Sequence, residues 1–300
     1  MPGRSGWSRK WAVGCVLLAA CADEPAAGAQ SKAAPYVLML DARPLGAFVG
    51  RGQDQWAHDV VSEGLSRARW FKAAGEGTEL SARLRYEERR SEDGVPVLRV
   101  HLVVEPDPGL EQRLASLGGD LEAYVELERR DHTIDLRRDL PVAVERAIAI
   151  VDAKVTVITG TTTDVAALLA DDDPEVVLVV LDAVEQRRLQ EVGDAVYALL
   201  DHDDERVGLR AVECLGIVGR PEHAPGLLRA VRLADRAHAN RLYEALANLG
   251  GSHARGFLEF AARNEEDPEL ASLAIRALAR LESAGPVPRR SDAVARGHRQ

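Results

Sequence analysis

The sequence predicts an α+β amino-terminal domain followed by an all-α solenoid. Two observations carry this. Residues 36–130 contain strands that alternate apolar and polar side chains with a period of two. Residues 171–284 instead repeat: Asp-headed segments start at Asp173, Asp204, Asp235 and Asp267, at steps of 31, 31 and 32 residues. A fixed period of that length marks stacked units, none of which can bury its apolar face alone.

Each segment opens an amphipathic helix. The second unit has Val207, Ala211, Leu215 and Val218, the third Leu242, Ala245, Leu246 and Leu249, and the fourth Leu270, Leu273, Ala277, Leu278 and Leu281. Spacings of three and four put one apolar stripe on each helix. Partner helices repeat as well: Ala224, Leu227, Leu228 and Val231 return 30 residues later as Ala254, Phe257, Leu258 and Ala261. Val196, Tyr197 and Leu200 are a looser first copy. Asp173-Pro174-Glu175 and Asp267-Pro268-Glu269 place a capping Asp before a first-turn Pro, where the carboxylate accepts from orphan amides and Pro sacrifices no needed donor. Gly219 and Gly250 are expected to end their helices in the left-handed conformation. Val176–Leu181 is apolar all round and fits either an internal strand or a buried helix. The helix is preferred, because Asp182-Ala183-Val184-Glu185 continues it to the repeat's length.

Asp204-Glu205-Arg206-Val207, Arg210-Ala211 and Leu215, followed by Pro221-Glu222-His223-Ala224-Pro225 and Leu227-Leu228, resemble HEAT repeats, including those of phycobilisome lyases. The resemblance covers residues 164–283. It implies a HEAT-like solenoid over 161–284 acting as a protein–protein interaction scaffold. The lyase relatives imply an alternative, an enzyme-associated factor with a chromophore or ligand pocket. A structural or assembly component of an envelope complex is a third reading. A fold of this kind hosts many roles, so the resemblance speaks to architecture first.

The chain's 300 residues leave room for two modest domains. Its formal charge is −10, and residues 161–283 hold 13 basic and 23 acidic side chains. So acidic a chain is a poor non-specific nucleic-acid binder, and no nucleic-acid partner is expected. Lys occurs only at positions 10, 32, 72 and 154.

Arg4, Arg9 and Lys10 precede a short apolar run, Trp11–Ala20, the pattern of a secretory signal in residues 1–20. It ends in Leu18-Ala19-Ala20-Cys21, which resembles the lipobox of bacterial lipoproteins. That resemblance implies cleavage before Cys21, lipid on its thiol, and a chain held to a membrane in the cell envelope, facing the periplasm. Ala22 lacks the Asp of inner-membrane retention, which by analogy favours the outer membrane. Residues 21–35 are rich in small residues and read as a flexible tether.

Residues 36–160 read as an α/β sandwich domain in the order β-α-β-β-β-α, with the boundary near Gly160. Tyr36–Leu40 is a strand. A helical stripe follows in Ala57, Val60, Val61, Gly64, Leu65 and Ala68. Leu80, Ala82, Leu84 and Tyr86 form a hairpin with Leu98, Val100, Leu102 and Val104 through the turn at Ser91–Gly94. After a short helix near 109–117, Leu121, Ala123, Val125 and Leu127 mark another strand. Asp139 is expected to cap a helix carrying Ala143, Ala147, Ile148 and Val151. Val155–Ile158 fits either an extension of that helix or a last strand. The element order resembles the amino-terminal α/β domain of TolB-type envelope proteins. The tail from 285 to 300 is expected to be disordered.

Catalysis needs a nucleophile, base or metal within mutual reach. HExxH, CxxC, P-loop, GxGxxG and GxSxG patterns are all missing from the sequence, so neither enzymatic activity nor a cofactor is expected. Asp171–Asp173 and Asp201–Glu205 lack the Gly and terminal Glu of a calcium loop and sit where carboxylates cap helices. Cys214 lies on an apolar stripe, as a filler. His223 and His253 hold matching repeat positions and could line one seam, though no metal is assigned. Glu213 and Glu244 belong to the acidic surface that would meet an unidentified protein partner of basic or mixed charge.

Overall fold

The computed structural model describes residues 36–45, 54–115, 119–130, 133–230 and 236–283. The signal segment, Cys21, the tether, Asp235 and the tail lie outside the described residues.

A mixed five-stranded sheet comes first, ordered β2-β1-β3-β4-β5. Its strands are β1 (Tyr36–Pro44), β2 (Phe71–Lys72), β3 (Glu79–Arg90), β4 (Pro96–Val104) and β5 (Glu122–Glu128). Strand β1 runs parallel to both β2 and β3, with Ala42 opposite Leu84; β3–β4 and β4–β5 are antiparallel, with Leu102 opposite Leu84 and Ala123. Alternation sorts the side chains as expected. Leu80, Ala82, Leu84, Tyr86, Leu98, Val100, Leu102, Ala123 and Val125 are buried on one face. The other face carries Arg83, Arg85, Arg99 and His101, paired with Glu105, Asp41, Glu126 and Glu122. Exposed Tyr124 stacks on His101 there, ring centroids 3.8 Å apart.

Helices α1 (Asp54–Leu65) and α3 (Leu136–Thr159) cover the apolar face, while α2 (Pro108–Ala115) joins β4 to β5 and buries Leu110 and Leu114. Trp70 pins the corner where β2 meets α3. Its amide donates to Asp152 Oδ1 at 2.8 Å and its indole N–H to Thr156 Oγ1 at 2.8 Å. The short strand β2 was not expected; Trp70 and Phe71 are core residues.

The α3 helix departs from expectation at its start. Pro141 makes Asp139 the natural cap by sequence, since Pro favours a first turn. The helix instead begins one turn earlier. Asp135 is the cap, its carboxylate accepting from the amide of Arg137 at 3.1 Å, and Pro141 lies inside. At the other end Val155–Ile158 continues the helix to Thr159, which settles the open choice in favour of helix.

The array then follows: α4 (Thr162–Leu168), α5 (Pro174–Arg187), α6 (Gly193–Ala198), α7 (Glu205–Val218), α8 (Ala224–Ala230), α9 (Arg236–Leu249), α10 (Gly251–Asn264) and α11 (Pro268–Ser283). Three-residue 3-10 turns flank α6 and precede α8. Residues 174–187 are helical throughout, because α5 lies between α3 and α7 and needs apolar groups on several sides. Asp173, Asp204 and Asp267 each accept from the amide two residues on, at 3.0, 2.9 and 2.8 Å.

Gly219 and Gly250 end their helices by different means than expected. Gly219 is extended, at φ −75° and ψ 177°; a Cβ there would meet Leu215 O at 2.4 Å and Leu249 Cδ2 at 2.7 Å. Close approach therefore demands glycine at that site. Gly250 has a positive φ of 70°, but with ψ −161° it lies outside the left-handed helical region.

The long helices α3, α5, α7, α9 and α11 pack each on the next. Because α3 also lies on β4 and β5, it is at once the sheet's cover and the array's first layer. One apolar core runs from Leu38 to Leu281. Gly160 breaks the chain between α3 and α4, and the core continues across it.

Candidate functional site

The 31-residue period places matching side chains on successive long helices. Asp182, Glu213 and Glu244 occupy one repeat position on α5, α7 and α9; Arg210 and Arg241 occupy another on α7 and α9. Stacking turns these into a ladder. Arg210 donates through Nε to Asp182 Oδ1 at 2.7 Å and through Nη1 to Glu213 Oε2 at 3.0 Å, and it also pairs with Glu185. Arg241 reaches the other oxygen of Glu213 at 3.0 Å. Arg206 bridges 31 positions to Glu175 at 2.8 Å, and Arg146 of α3 pairs with the α5 cap Asp173. Burial works against the Arg210 charge, yet Asp182 and Glu185 outweigh it and lift the guanidinium above the ordinary arginine range.

Glu213 and Glu244 are therefore not equivalent. Glu213 has both oxygens engaged and is a structural rung. Glu244 is exposed on α9 and shows no partner among the described residues. Thirty-one positions beyond Arg241 stands Ser272, so the next helix brings no arginine to close the rung. Among the described residues the ladder ends in an open carboxylate.

His223 and His253 also part company. His223 is buried in the turn before α8, where its Nδ1 accepts from the Arg220 amide at 3.1 Å. The proton thus sits on Nε2, which donates to Asp194 Oδ1 at 3.0 Å. Tyr197 stacks against the ring at 5.0 Å between centroids. Hydrogen bonds from His223 and Arg220 hold the Asp194 carboxyl below its usual range. With both nitrogens occupied, His223 joins α6 to α8. His253 is exposed in the first turn of α10.

The acidic clusters act as caps. Asp171 accepts from the Asp173 amide at 2.9 Å, and His202 Nδ1 from the Asp204 amide at 3.0 Å. Among the described residues no group of three or more His, Cys, Asp or Glu is placed to hold a metal ion. Cys214 is fully buried and donates to Leu181 O at 3.7 Å. Burial pushes its thiol up to about 12, which keeps it protonated. The arginine rungs were missed in the sequence, although Arg210 and Arg241 repeat at the same step as the aspartates.

A family model described as HEAT repeats matches residues 163–247, from α4 to near the end of α9. The matched stretch of the helical part is thus HEAT-like. Among solved structures, the chain is similar to the crystal structure of an engineered protein, at 21% identity and a TM-score of 0.34, over 49% of this chain and 76% of that one. At that score the likeness carries no argument. No curated protein matches the chain.

Proposed function

We propose that this is a lipid-anchored protein of the bacterial cell envelope whose HEAT-like array is a protein-binding scaffold. The observation that carries the scaffold reading is the match to HEAT repeats over 163–247, borne on one unbroken layer of stacked helices. Stacking presents the same helix position of every unit as one continuous surface. That surface is acidic overall, and its ladder opens at Glu244. The partner is a basic or mixed-charge protein surface, and charge serves encounter rate more than final affinity.

The anchor rests on the sequence: a basic start, a short apolar run and the lipobox ending in Cys21. Among the described residues no helix is long and apolar enough to cross a membrane. Stable attachment needs more than one acyl chain, because a single chain binds only marginally. Cys21→Ser is expected to remove the lipid mass in intact mass spectrometry and to release the protein from membranes. A variant that stays in the membrane fraction would remove the anchor from this reading.

Glu244→Lys tests the scaffold. In surface plasmon resonance against a partner captured by the wild-type chain, association at low salt should slow roughly three- to tenfold and its salt dependence should flatten. Glu213→Lys is the contrasting variant. It frees Arg210 and Arg241, so its effect should appear in thermal stability. An association rate untouched by Glu244→Lys leaves the acidic surface a solubility device only.

A further inference from the structure

A cleft of about 260 Å³ opens where α3, α5 and the approach to β5 meet. Leu114, Val157, Ile158 and Val179 give it an apolar floor, and Asp120 and Asp182 stand at its mouth. Among the described residues of the lining Lys154 is the basic one. Its ammonium is already taken, donating to Asp120 Oδ1 at 2.8 Å and to the Glu122 carbonyl at 2.7 Å. Asp182 Oδ1 is held by Arg210 at 2.7 Å. Both carboxylates are largely exposed, at 64% for Asp120 and 58% for Asp182. Asp120 Oδ1 also accepts from the Glu122 amide at 3.2 Å.

Resting on the scaffold reading, we propose that this cleft is the array's docking point for a partner segment that inserts one apolar side chain and sets an Arg or Lys beside Asp120 and Asp182. Size selects the occupant. Pockets for cofactors and drug-sized ligands span roughly 300–1,000 Å³, and this cleft is smaller. It matches a single large side chain, the kind of anchor that dominates protein interfaces. Charge selects the anchor's neighbour: two largely exposed carboxylates stand at the mouth, each held on one side by a single cation, Lys154 or Arg210, and open to water on the other. The position adds a consequence. The floor takes Val157 and Ile158 from α3 and Val179 from α5, so a docked segment bears on the helix shared by the sheet and the array.

The test uses short fluorescein-labelled peptides and the full chain carrying Cys21→Ser. One peptide has Phe flanked by Arg on both sides; the others replace Arg by Glu, or Phe by Ser. Fluorescence anisotropy should show the Arg-flanked Phe peptide binding about tenfold tighter than either. Ala183→Trp, which fills the cleft from its half-buried wall, should erase that preference, while Ala183→Ser keeps it. Circular dichroism checks the fold of each variant. Should Ala183→Trp unfold, Asp120→Asn is read instead: it should weaken the Arg-flanked peptide severalfold and leave the Glu-flanked one alone. Equal binding of all peptides overturns the proposal. So does a preference that survives Ala183→Trp or Asp120→Asn. A cleft-independent peptide site that still depends on Glu244 would retain the scaffold reading and remove this one.

Discussion

Asp139→Ala is expected to cost about 3 kcal/mol of stability and to loosen the start of α3. Asp139 has no exposed surface, yet it is ionised. Its Oδ2 accepts from the Asp135 amide at 2.9 Å, and its Oδ1 takes Arg129 at 3.1 Å and Arg138 at 2.8 Å. Arg129 directly follows β5, so this carboxylate ties the last strand to the helix that covers the sheet. Alanine would leave an amide and two guanidinium groups without their acceptor. The estimate sits at the low end for broken buried pairs because both arginines also reach water. Urea titration measures it, and a loss below about 1 kcal/mol would show that the arginines find solvent instead.

The same site sets an acid limb. Burial pushes the Asp139 carboxyl up, but the hydrogen bonds from Arg138, Arg129 and the Asp135 amide prevail and lower it to about 2. A folded-state pKa below the unfolded one gives stability that is present above the unfolded value, near pH 4, and is lost as pH falls through about 2. Asp139→Ala should therefore flatten the fall in stability between about pH 4 and 2, by about 2 kcal/mol after allowance for solvent around the arginines.

Periodic features of this fold were legible in the sequence and shared ones were not. The Asp caps and the stripes of α7, α9 and α11 announce themselves because each is repeated and local. Arg210 and Arg241 were equally periodic, but an arginine carries no signal until stacking shows which carboxylate it faces. Val176–Leu181 and Val155–Ile158 were ambiguous for one physical reason. A helix buried on several sides loses its polar face, and β-branched residues then read as strand. The inequality of Glu213 and Glu244, like that of His223 and His253, arises from which neighbour supplies a partner. The cleft joins residues from Leu114 to Gln186 that only the fold brings together.

Residues 161–284 expressed alone are expected to lose most of their cooperative folding. The repeat starts after Gly160, which by sequence makes that glycine the natural boundary between two separable units. Packing argues that a cut there divides a core. Helix α3 lies along α5, and α5 buries Val176, Val177, Val180, Leu181 and Val184 almost completely. Removing α3 exposes one flank of α5 to water and strips the Arg146–Asp173 pair from its cap. Burying each Val or Leu contributes about 1.5–3 kcal/mol, so baring even two or three removes on the order of 5 kcal/mol. A repeat array needs a terminal unit with a polar outer face, and α5 is packed between α3 and α7, covered on both sides. The fragment should show a broad, shallow thermal transition by circular dichroism and should bind a hydrophobic dye. The fragment 136–284, which retains α3, should recover much of the helical signal while still exposing the α3 face that the sheet covered. The full chain should melt in one transition, because α3 belongs to both parts of the core. A sharp, fully helical melt of 161–284 would establish instead that the array is a unit in its own right.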